Sequence, residues 1–209
     1  MGIDVEVPGL NTIVPSVDDG SLLVVEGGND AAKSFFVRRL VLTAGKSGRR
    51  VTFVTSREAE EVAGQLQKEG GPETRGTDWI DIKELDRLKS IESFGSPTGL
   101  LAVDSFSFVA LPLSPEALAM QLRKLRQIFR TAGAPVILST ERGMLDSRSE
   151  AVTAHLADGL IQFHAQEGME GVVRFLRIPK WTDGRFVDRN VYYDFDGERI
   201  AVDLRRRVL

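Results

Sequence analysis

The stretch "SLLVVEGGNDAAKS", residues 21–34, decides the fold, because a short apolar run passes directly into glycines, a lysine and a serine. The apolar run is near-continuous, as in a strand buried on both faces of a parallel sheet. The residues after it have nearly the spacing of a phosphate-binding loop, Gly27-x-x-x-x-Ala32-Lys33-Ser34. Three interpretations remain open at this point: a working nucleotide site, a defective one, and a strand-turn-helix unrelated to nucleotides.

Two residues of the loop oppose nucleotide binding. Ala32 stands where such a loop has its last glycine, and it adds a methyl group where the backbone needs the freedom of glycine. Asp30 would place a carboxylate among N–H groups that converge on a phosphate, and it could instead cap the helix itself. In a working loop Lys33 reaches the β/γ oxygens and the Ser34 hydroxyl holds Mg²⁺. The predicted nucleotide-binding residues of this degenerate loop are Gly27, Gly28, Asn29, Asp30, Ala31, Ala32, Lys33 and Ser34.

The first two-thirds of the chain has the pattern of a doubly wound α/β sheet. Further apolar runs, each ending in small polar residues, lie at 50–56, 99–105 and 134–140. Helical patterns separate the runs, at 31–45 with Gly45 as a C-cap, at 57–71, and at 114–133 with Ser114 as N-cap and Pro115 at the first helical position. Polar residues that follow parallel strands meet at the carboxyl edge of the sheet, where ligands bind.

The last third of the chain predicts short antiparallel strands. Four apolar segments there are separated by turn signals, of which Asp196-Gly197 is the best hairpin candidate. No internal repeat or linker interrupts the 209 residues, so we predict a single domain over 1–209.

Composition excludes several classes of function. The chain has no cysteine and two histidines, which excludes disulfides, Cys-zinc sites and thiol catalysis and argues against a multi-histidine metal centre. The net charge of -3 argues against nucleic-acid binding. No run approaches the roughly 18–20 apolar residues of a membrane span, and no signal peptide is evident, so the predicted location is cytoplasmic.

Asp104 supplies a second piece of a nucleotide site. It follows four apolar residues in "LLAVDS", where an NTPase positions the acid of its Mg²⁺ shell. An aspartate at the end of a buried strand is common in other proteins too. Its position after the loop, with one predicted strand between them, favours the nucleotide interpretation. Ser34 and Asp104 would hold the metal ion only if Mg-ATP binds.

The order of these segments resembles the KaiC-like and RadB-like RecA-superfamily ATPases over almost the whole chain. The resemblance is carried by "VPGLNTIVPSVDDGSLLVVEGG", "RVTFVTSREAEEVAGQL", "LLAVDSFSFV" and "HLADGLIQF…GVVRFLRIPKW". It implies a RecA-like P-loop domain, a mainly parallel sheet flanked by helices with antiparallel strands at the C-terminus, and ATP bound between adjacent subunits. It also implies that Thr140 senses the γ-phosphate and that Lys180 reaches the nucleotide of the neighbouring subunit.

Other positions depart from the pattern of these ATPases. Arg57 and Glu58 align with their paired glutamates, so arginine occupies the position credited with activating water. A guanidinium cannot act as a general base, which leaves Glu58 as the catalytic candidate or as a first-turn acid of a helix. Thr182 aligns with their trans-acting arginine, for which Arg185 is a nearby substitute.

These departures lead to two functional hypotheses. The first is a RecA-fold KaiC-like pseudo-ATPase, a regulatory or scaffolding protein-interaction module without a cofactor. Its partner would be an active RecA/KaiC-like paralogue or a signalling or motility complex. The second is an ATP-binding, weakly active ATPase in signalling, motility or DNA recombination that uses Lys33, Ser34, Asp104 and Glu58 with ATP and Mg²⁺.

Overall fold

The computed structural model describes residues 2–28, 31–70, 78–85, 94, 99–168 and 171–203, apart from the side chain of Asp188. The strands are β1 (Ile3–Asp4), β2 (Ser16–Val17), β3 (Leu22–Gly27), β4 (Val51–Thr55), β5 (Ile80–Glu84), β6 (Leu100–Val103), β7 (Val136–Glu141), β8 (Gly159–Gly168), β9 (Gly171–Lys180), β10 (Val187–Phe195) and β11 (Ile200–Asp203). The helices are α1 (Lys33–Lys46), α2 (Ala59–Gly70), α3 (Phe106–Ala110), α4 (Pro115–Ala132) and α5 (Ser147–Leu156), and a short 3-10 turn covers Leu10–Thr12.

The four predicted apolar runs form the centre of one sheet. The nine strands of this sheet lie in the order β11-β10-β9-β8-β3-β7-β6-β4-β5. The neighbours β3, β7, β6 and β4 pair in parallel, with Leu22 opposite Val136 and Leu101 opposite Val136 in register. These strands are apolar on both faces because helices cover both sides of the sheet. The predicted parallel core is confirmed.

The C-terminal strands extend this parallel core mainly by antiparallel pairing. β8 still runs parallel to β3, whereas β9, β10 and β11 each pair antiparallel with the strand before them. The turn between β10 and β11 is held by the Asp196 carboxylate, which accepts the backbone N–H groups of Glu198 and Arg199 at 2.9 Å each. The predicted antiparallel addition and its hairpin are confirmed.

Two apolar layers hold the helices against the sheet. On one face α1 contributes Phe36 and Leu40 and α2 contributes Val62, and the N-terminal segment around β1 and β2 closes this layer. On the other face α3 contributes Phe106 and α4 contributes Leu122, with others of both helices. The strands β3, β4, β6, β7 and β8 supply both layers with alternate side chains, so the two sides of the sheet are distinct environments.

Helix α4 follows its predicted limits. The Ser114 hydroxyl accepts the N–H of Ala117 at 3.2 Å, Pro115 occupies the first turn, and Gly133 ends the helix with φ 64°. Left-handed φ values are accessible to glycine without strain, which explains the stop.

Helix α1 does not end at Gly45, and the predicted C-cap is wrong. The helix continues to Lys46, and Ser47 follows as the cap residue. Gly45 has a packing role instead, because a Cβ at this position would lie 2.5 Å from Cε3 of the Trp79 ring. The absence of a side chain lets the indole lie directly on the helix backbone.

Ala32, the residue before α1, has a left-handed backbone with φ 59°. Among the non-glycine residues that the structure describes, only Ser105 shares a positive φ. A Cβ in this region is crowded by its own backbone, at about 1–2 kcal/mol. The structure thus places alanine where a loop of this shape calls for glycine.

We expect Gly45→Ala to lower the free energy of unfolding by about 1–3 kcal/mol, since a Cβ 2.5 Å from Cε3 of Trp79 forces the indole or the helix backbone to shift. Gly64→Ala is the matched control, because Gly64 also lies inside a helix but a Cβ there has nothing within 4 Å. That substitution is expected to raise stability by roughly 0.5–1 kcal/mol. Urea unfolding measures both, and equal effects would contradict the packing of Trp79 on Gly45.

We expect Ala32→Gly to raise the free energy of unfolding by about 0.5–1 kcal/mol, because glycine relieves the left-handed strain. Ala31→Gly is the control, since Ala31 has no positive φ and its methyl group is fully buried. This neighbour should lose stability on the same change. A loss at both positions in thermal or urea unfolding would show that Ala32 is not strained.

Candidate functional site

The predicted loop connects β3 to α1, as the sequence pattern requires. β3 ends at Gly27, and the backbone there runs so close to β8 that a Cβ would lie 3.0 Å from the Cβ of Phe163. At Gly28 a Cβ would have nothing within 4 Å, so this part of the loop is open. Asn29 and Asp30 lie outside the described residues, and the capping role of Asp30 stays a prediction.

Ser34 and Asp104 meet at the carboxyl edge of the sheet. The Ser34 hydroxyl donates to Oδ1 of Asp104 at 3.1 Å. Asp104 follows β6 directly, and its backbone N–H donates to the carbonyl of Val54 at 2.8 Å, which holds the turn against β4. A hydroxyl and a carboxylate side by side are the oxygen groups that Mg²⁺ prefers.

Lys33 forms an ion pair that the sequence did not reveal. Its Nζ lies 2.9 Å from Oε1 of Glu141, and the two side chains are only 5% and 18% exposed. Glu141 is the last residue of β7, and its backbone N–H donates to the Ser107 hydroxyl at 2.9 Å. The second carboxylate oxygen, Oε2, is buried without a hydrogen-bond partner among the described residues. The ammonium of the loop is therefore matched by a carboxylate of the same chain.

Strand alternation places Ser139, rather than Thr140, on the side of Lys33. Ile137 packs in the layer of α1, and Leu138 packs in the layer of α4, so Ser139 and Glu141 face α1. Thr140 points to the other face and lines a cleft with Val24, Leu145 and Thr153, and Glu141 at the end of the strand also borders this cleft. The predicted γ-phosphate-sensing role of Thr140 stays a prediction. The Ser139 hydroxyl is fully buried without a partner in the described part of the chain.

The side chain of Arg57 is bound by residues of α2, the helix that begins two positions later. Its guanidinium donates to the Glu61 carboxylate and, at 3.0 Å, to Oε1 of Gln65. The hydrogen bond from Arg57 holds the pKa of Glu61 below its usual value. The residue aligned with a water-activating glutamate thus lies along α2 as a cation.

Glu58, the predicted catalytic candidate, stands at the start of α2. Its side chain is exposed, and its backbone carbonyl accepts the N–H of Val62 at 3.2 Å. An acid in this position complements the helix dipole. The structure gives Glu58 no contact with Lys33, Ser34 or Asp104, and its catalytic role stays a prediction.

Tyr193 of β10 reaches the loop from the C-terminal strands. Its hydroxyl donates to the carbonyl of Ala31 at 2.7 Å, and burial raises the pKa of this phenol. Its ring meets the edge of Phe163, with 5.6 Å between centroids, and Phe163 in turn packs on Phe36 of α1. Nothing in the local sequence signals this contact. The antiparallel extension thus holds the backbone of the loop next to Ala32.

Lys180 lies at the opposite edge of the sheet from Lys33. It pairs in register with Leu160 near the start of β8, and its Nζ donates to the carbonyl of His155 at 3.2 Å. Burial lowers the pKa of Lys180. Within one chain the two lysines are therefore not brought together, and the predicted contact of Lys180 with another subunit stays a prediction.

Thr182 and Arg185 belong to the loop after β9. The Thr182 hydroxyl accepts the backbone N–H of Asp18 at 3.3 Å, so the residue aligned with the trans arginine ties two loops of its own chain together. Arg185 forms an ion pair with Asp183, at 2.7 Å between Nε and Oδ2. The predicted inter-subunit role of Arg185 is likewise untested.

Within the ranges that the structure describes, no helix has the length and apolar character needed to cross a bilayer. The same ranges contain no group of three or more His, Cys, Asp and Glu side chains arranged to hold a metal ion.

Comparison with solved structures agrees with this architecture. The crystal structure of a KaiC-like protein from Pyrococcus horikoshii OT3 superposes with a TM-score of 0.77 and 22% sequence identity, over 97% of this chain and 99% of that one. The flagellar accessory protein FlaH from Methanocaldococcus jannaschii superposes with a TM-score of 0.75 and 16% identity, over 97% and 98% of the two chains. No protein-family model matches the sequence, and no curated protein matches it significantly. The chain has a RecA-like α/β fold with antiparallel strands added at its C-terminal end, similar to that of these two proteins.

Proposed function

We propose that this protein is a pseudo-ATPase, a RecA-fold protein-interaction module with a regulatory or scaffolding role that does not hydrolyse ATP. The observation that carries the proposal is the ion pair between Lys33 and Glu141. Its partner would be an active KaiC-like paralogue or a signalling or motility complex. The likeness to FlaH, a flagellar accessory protein, supports a motility complex. We expect the protein to act in the cytoplasm.

The ion pair opposes a triphosphate in two ways. Lys33 would have to leave a carboxylate 2.9 Å away before its charge could serve the β/γ oxygens. Glu141 would then remain as a mostly buried anion beside a ligand that carries several negative charges. Depriving one member of a buried pair of its partner costs about 3–5 kcal/mol, because the other charge is left uncompensated. The site therefore favours its internal anion over an added one.

The position of Arg57 supports the absence of turnover. Hydrolysis needs a group that takes a proton from the attacking water, and a guanidinium stays protonated at every physiological pH. Arg57 is moreover engaged with Glu61 and Gln65 along α2. Even a bound nucleotide would lack a base at this position.

One observation favours the alternative, an ATP-binding and weakly active ATPase in signalling, motility or recombination. The Ser34 hydroxyl and the Asp104 carboxylate are in place, 3.1 Å apart, as a Mg²⁺ site of a phosphate loop requires. The fit to Mg-ATP is thus partial. The two oxygen groups suit the ion, but the engaged Lys33 and the left-handed Ala32 do not suit the phosphates.

We expect the wild-type protein to show little thermal shift with millimolar Mg-ATP and no Mg²⁺-dependent turnover. Glu141→Gln removes the competing charge at nearly constant volume and should create a thermal shift. A ligand at 100 times its Kd stabilises a fold by about 2.7 kcal/mol, which scanning fluorimetry detects easily. Without nucleotide the variant should lose roughly 3 kcal/mol, since Lys33 is left buried without its carboxylate.

Two variants serve as controls for this experiment. Glu116→Gln removes an exposed carboxylate far from the loop and should leave the wild-type response unchanged. Lys33→Met in the Glu141→Gln background should abolish the gained shift. Micromolar binding of ATP by the wild-type protein would overturn the proposed function and establish the alternative.

We expect Arg57→Glu to leave ATP turnover at background. The variant supplies a base candidate, but Lys33 remains held by Glu141, so no phosphate is positioned for attack. The double variant Arg57→Glu with Glu141→Gln tests whether the two defects act on one chemistry, and only this protein should gain turnover. Phosphate release measures the rate, and robust hydrolysis by the single variant would show that the loop was competent throughout.

A further inference from the structure

Exposed apolar side chains concentrate on α3 and α4. In the described residues six large apolar side chains are exposed, and four of them lie between residues 108 and 128: Phe108 (50%), Leu111 (55%), Met120 (66%) and Ile128 (40%). Single exposed apolar residues are normal on any surface, whereas a concentration of them marks an interaction site.

Helices α3 and α4 both cover the same face of the sheet. Phe106 of α3 and Leu118 and Leu122 of α4 pack in the same apolar layer against the same face of the sheet. Their outward faces are therefore both turned to solvent on this side. Only a short connection, residues 111–114, separates them.

The same side is basic, although the whole chain has a formal charge of -3. Helix α4 contains four cations and a single acid, Glu116. That acid is paired with Arg148 of α5 at 2.9 Å, and Arg126 is paired with Asp158. Arg123 and Lys124 are exposed on the outer face. The charge of this face is opposite to that of the molecule as a whole.

Apolar and basic groups alternate along the outer face of α4. Met120 and Ile128 are eight residues apart, about 12 Å along a helix, and Arg123 and Lys124 lie between them. We propose that the α3–α4 surface, defined by Phe108, Leu111, Met120, Arg123, Lys124 and Ile128, docks an acidic segment of a partner protein that inserts apolar side chains between the cations. Complementary charge would orient the segment, and the apolar contacts would supply affinity.

A protein segment suits this surface better than a bilayer or a nucleic acid. The apolar face of α4 is committed to the core through Leu122, Leu125 and Phe129, so the helix cannot turn its apolar side into a membrane. A bilayer is apolar in its interior and charged at its surface, whereas on α4 the cations Arg123 and Lys124 lie between the apolar residues Met120 and Ile128. Nucleic-acid backbones are bound through cations and polar groups, so the aliphatic side chains of Leu111, Met120 and Ile128 would have no partner there.

This inference rests on the proposed function, because it names the surface through which the interaction module would bind its partner. The two remain separable by experiment. The α3–α4 surface belongs to a different element from Lys33, Glu141 and Arg57, so substitutions on it should leave the nucleotide response and ATP turnover of the protein unchanged. ATP hydrolysis by the wild-type protein would overturn the proposed function, but it would leave the peptide-binding result for this surface unchanged.

The probe is a library of random 16-residue peptides displayed on phage and selected against the purified full-length protein. The selected peptides are then synthesised and titrated by fluorescence anisotropy. Two variants are compared with the wild type: Met120→Ser/Arg123→Glu on the surface, and Phe186→Ser/Lys68→Glu, which removes one exposed apolar side chain and one exposed cation elsewhere. Thermal unfolding checks that both variants are folded.

We expect the enriched peptides to carry net negative charge and at least two large apolar residues. Their Kd should rise more than 10-fold for the surface variant, change less than 2-fold for the control variant, and rise steeply with salt. Peptides without acidic character, equal binding to both variants, or no enrichment would overturn the proposal. Co-sedimentation of the wild type, but not the surface variant, with vesicles of phosphatidylcholine and phosphatidylserine would replace it with membrane binding.

Discussion

The ion pair between Lys33 and Glu141 sets the character of the site, because everything that a phosphate loop could do depends on the charge of its lysine. The start of α1 directly after the loop and the Ser34–Asp104 contact have the arrangement that a nucleotide site needs. The lysine nevertheless has a mostly buried carboxylate of its own chain as partner. The pair can exist only because the carboxyl ends of β3 and β7 lie side by side in register, with Gly27 opposite Glu141.

The surroundings of this pair are reinforced from the C-terminal strands. Tyr193 of β10 donates to the carbonyl of Ala31, and Phe163 of β8 lies against Gly27, so the C-terminal strands hold both ends of the loop in place. These contacts hold the backbone next to Ala32, a residue whose left-handed conformation is strained for an alanine. The strain is small beside the buried contacts around it, which is why the structure can retain it.

The two faces of the sheet have different roles in this interpretation. The face of α1 contains the loop, the ion pair and the buried hydroxyl of Ser139, all directed inward. The face of α3 and α4 directs apolar and basic side chains outward instead. This division between the two faces agrees with the proposed role as a protein-interaction module. Function then belongs to surfaces added to the fold and not to the fold itself.

Local patterns in the sequence were enough for the parallel core, the limits of α4 and the hairpin at Asp196, because each depends on apolar periodicity or on turn and cap residues that act over a few positions. They also located Lys33, Ser34 and Asp104 at one edge, since carboxyl ends of parallel strands meet there. Only the tertiary structure decided which groups face each other across strands. The pairing of Lys33 with Glu141 and the position of Ser139 on the face of α1 follow from strand alternation and register, whereas Trp79 meets Gly45 because α1 packs on the segment before β5. Short-range patterns contain no information on such contacts, because the partner of a side chain is set by packing and not by its neighbours in sequence.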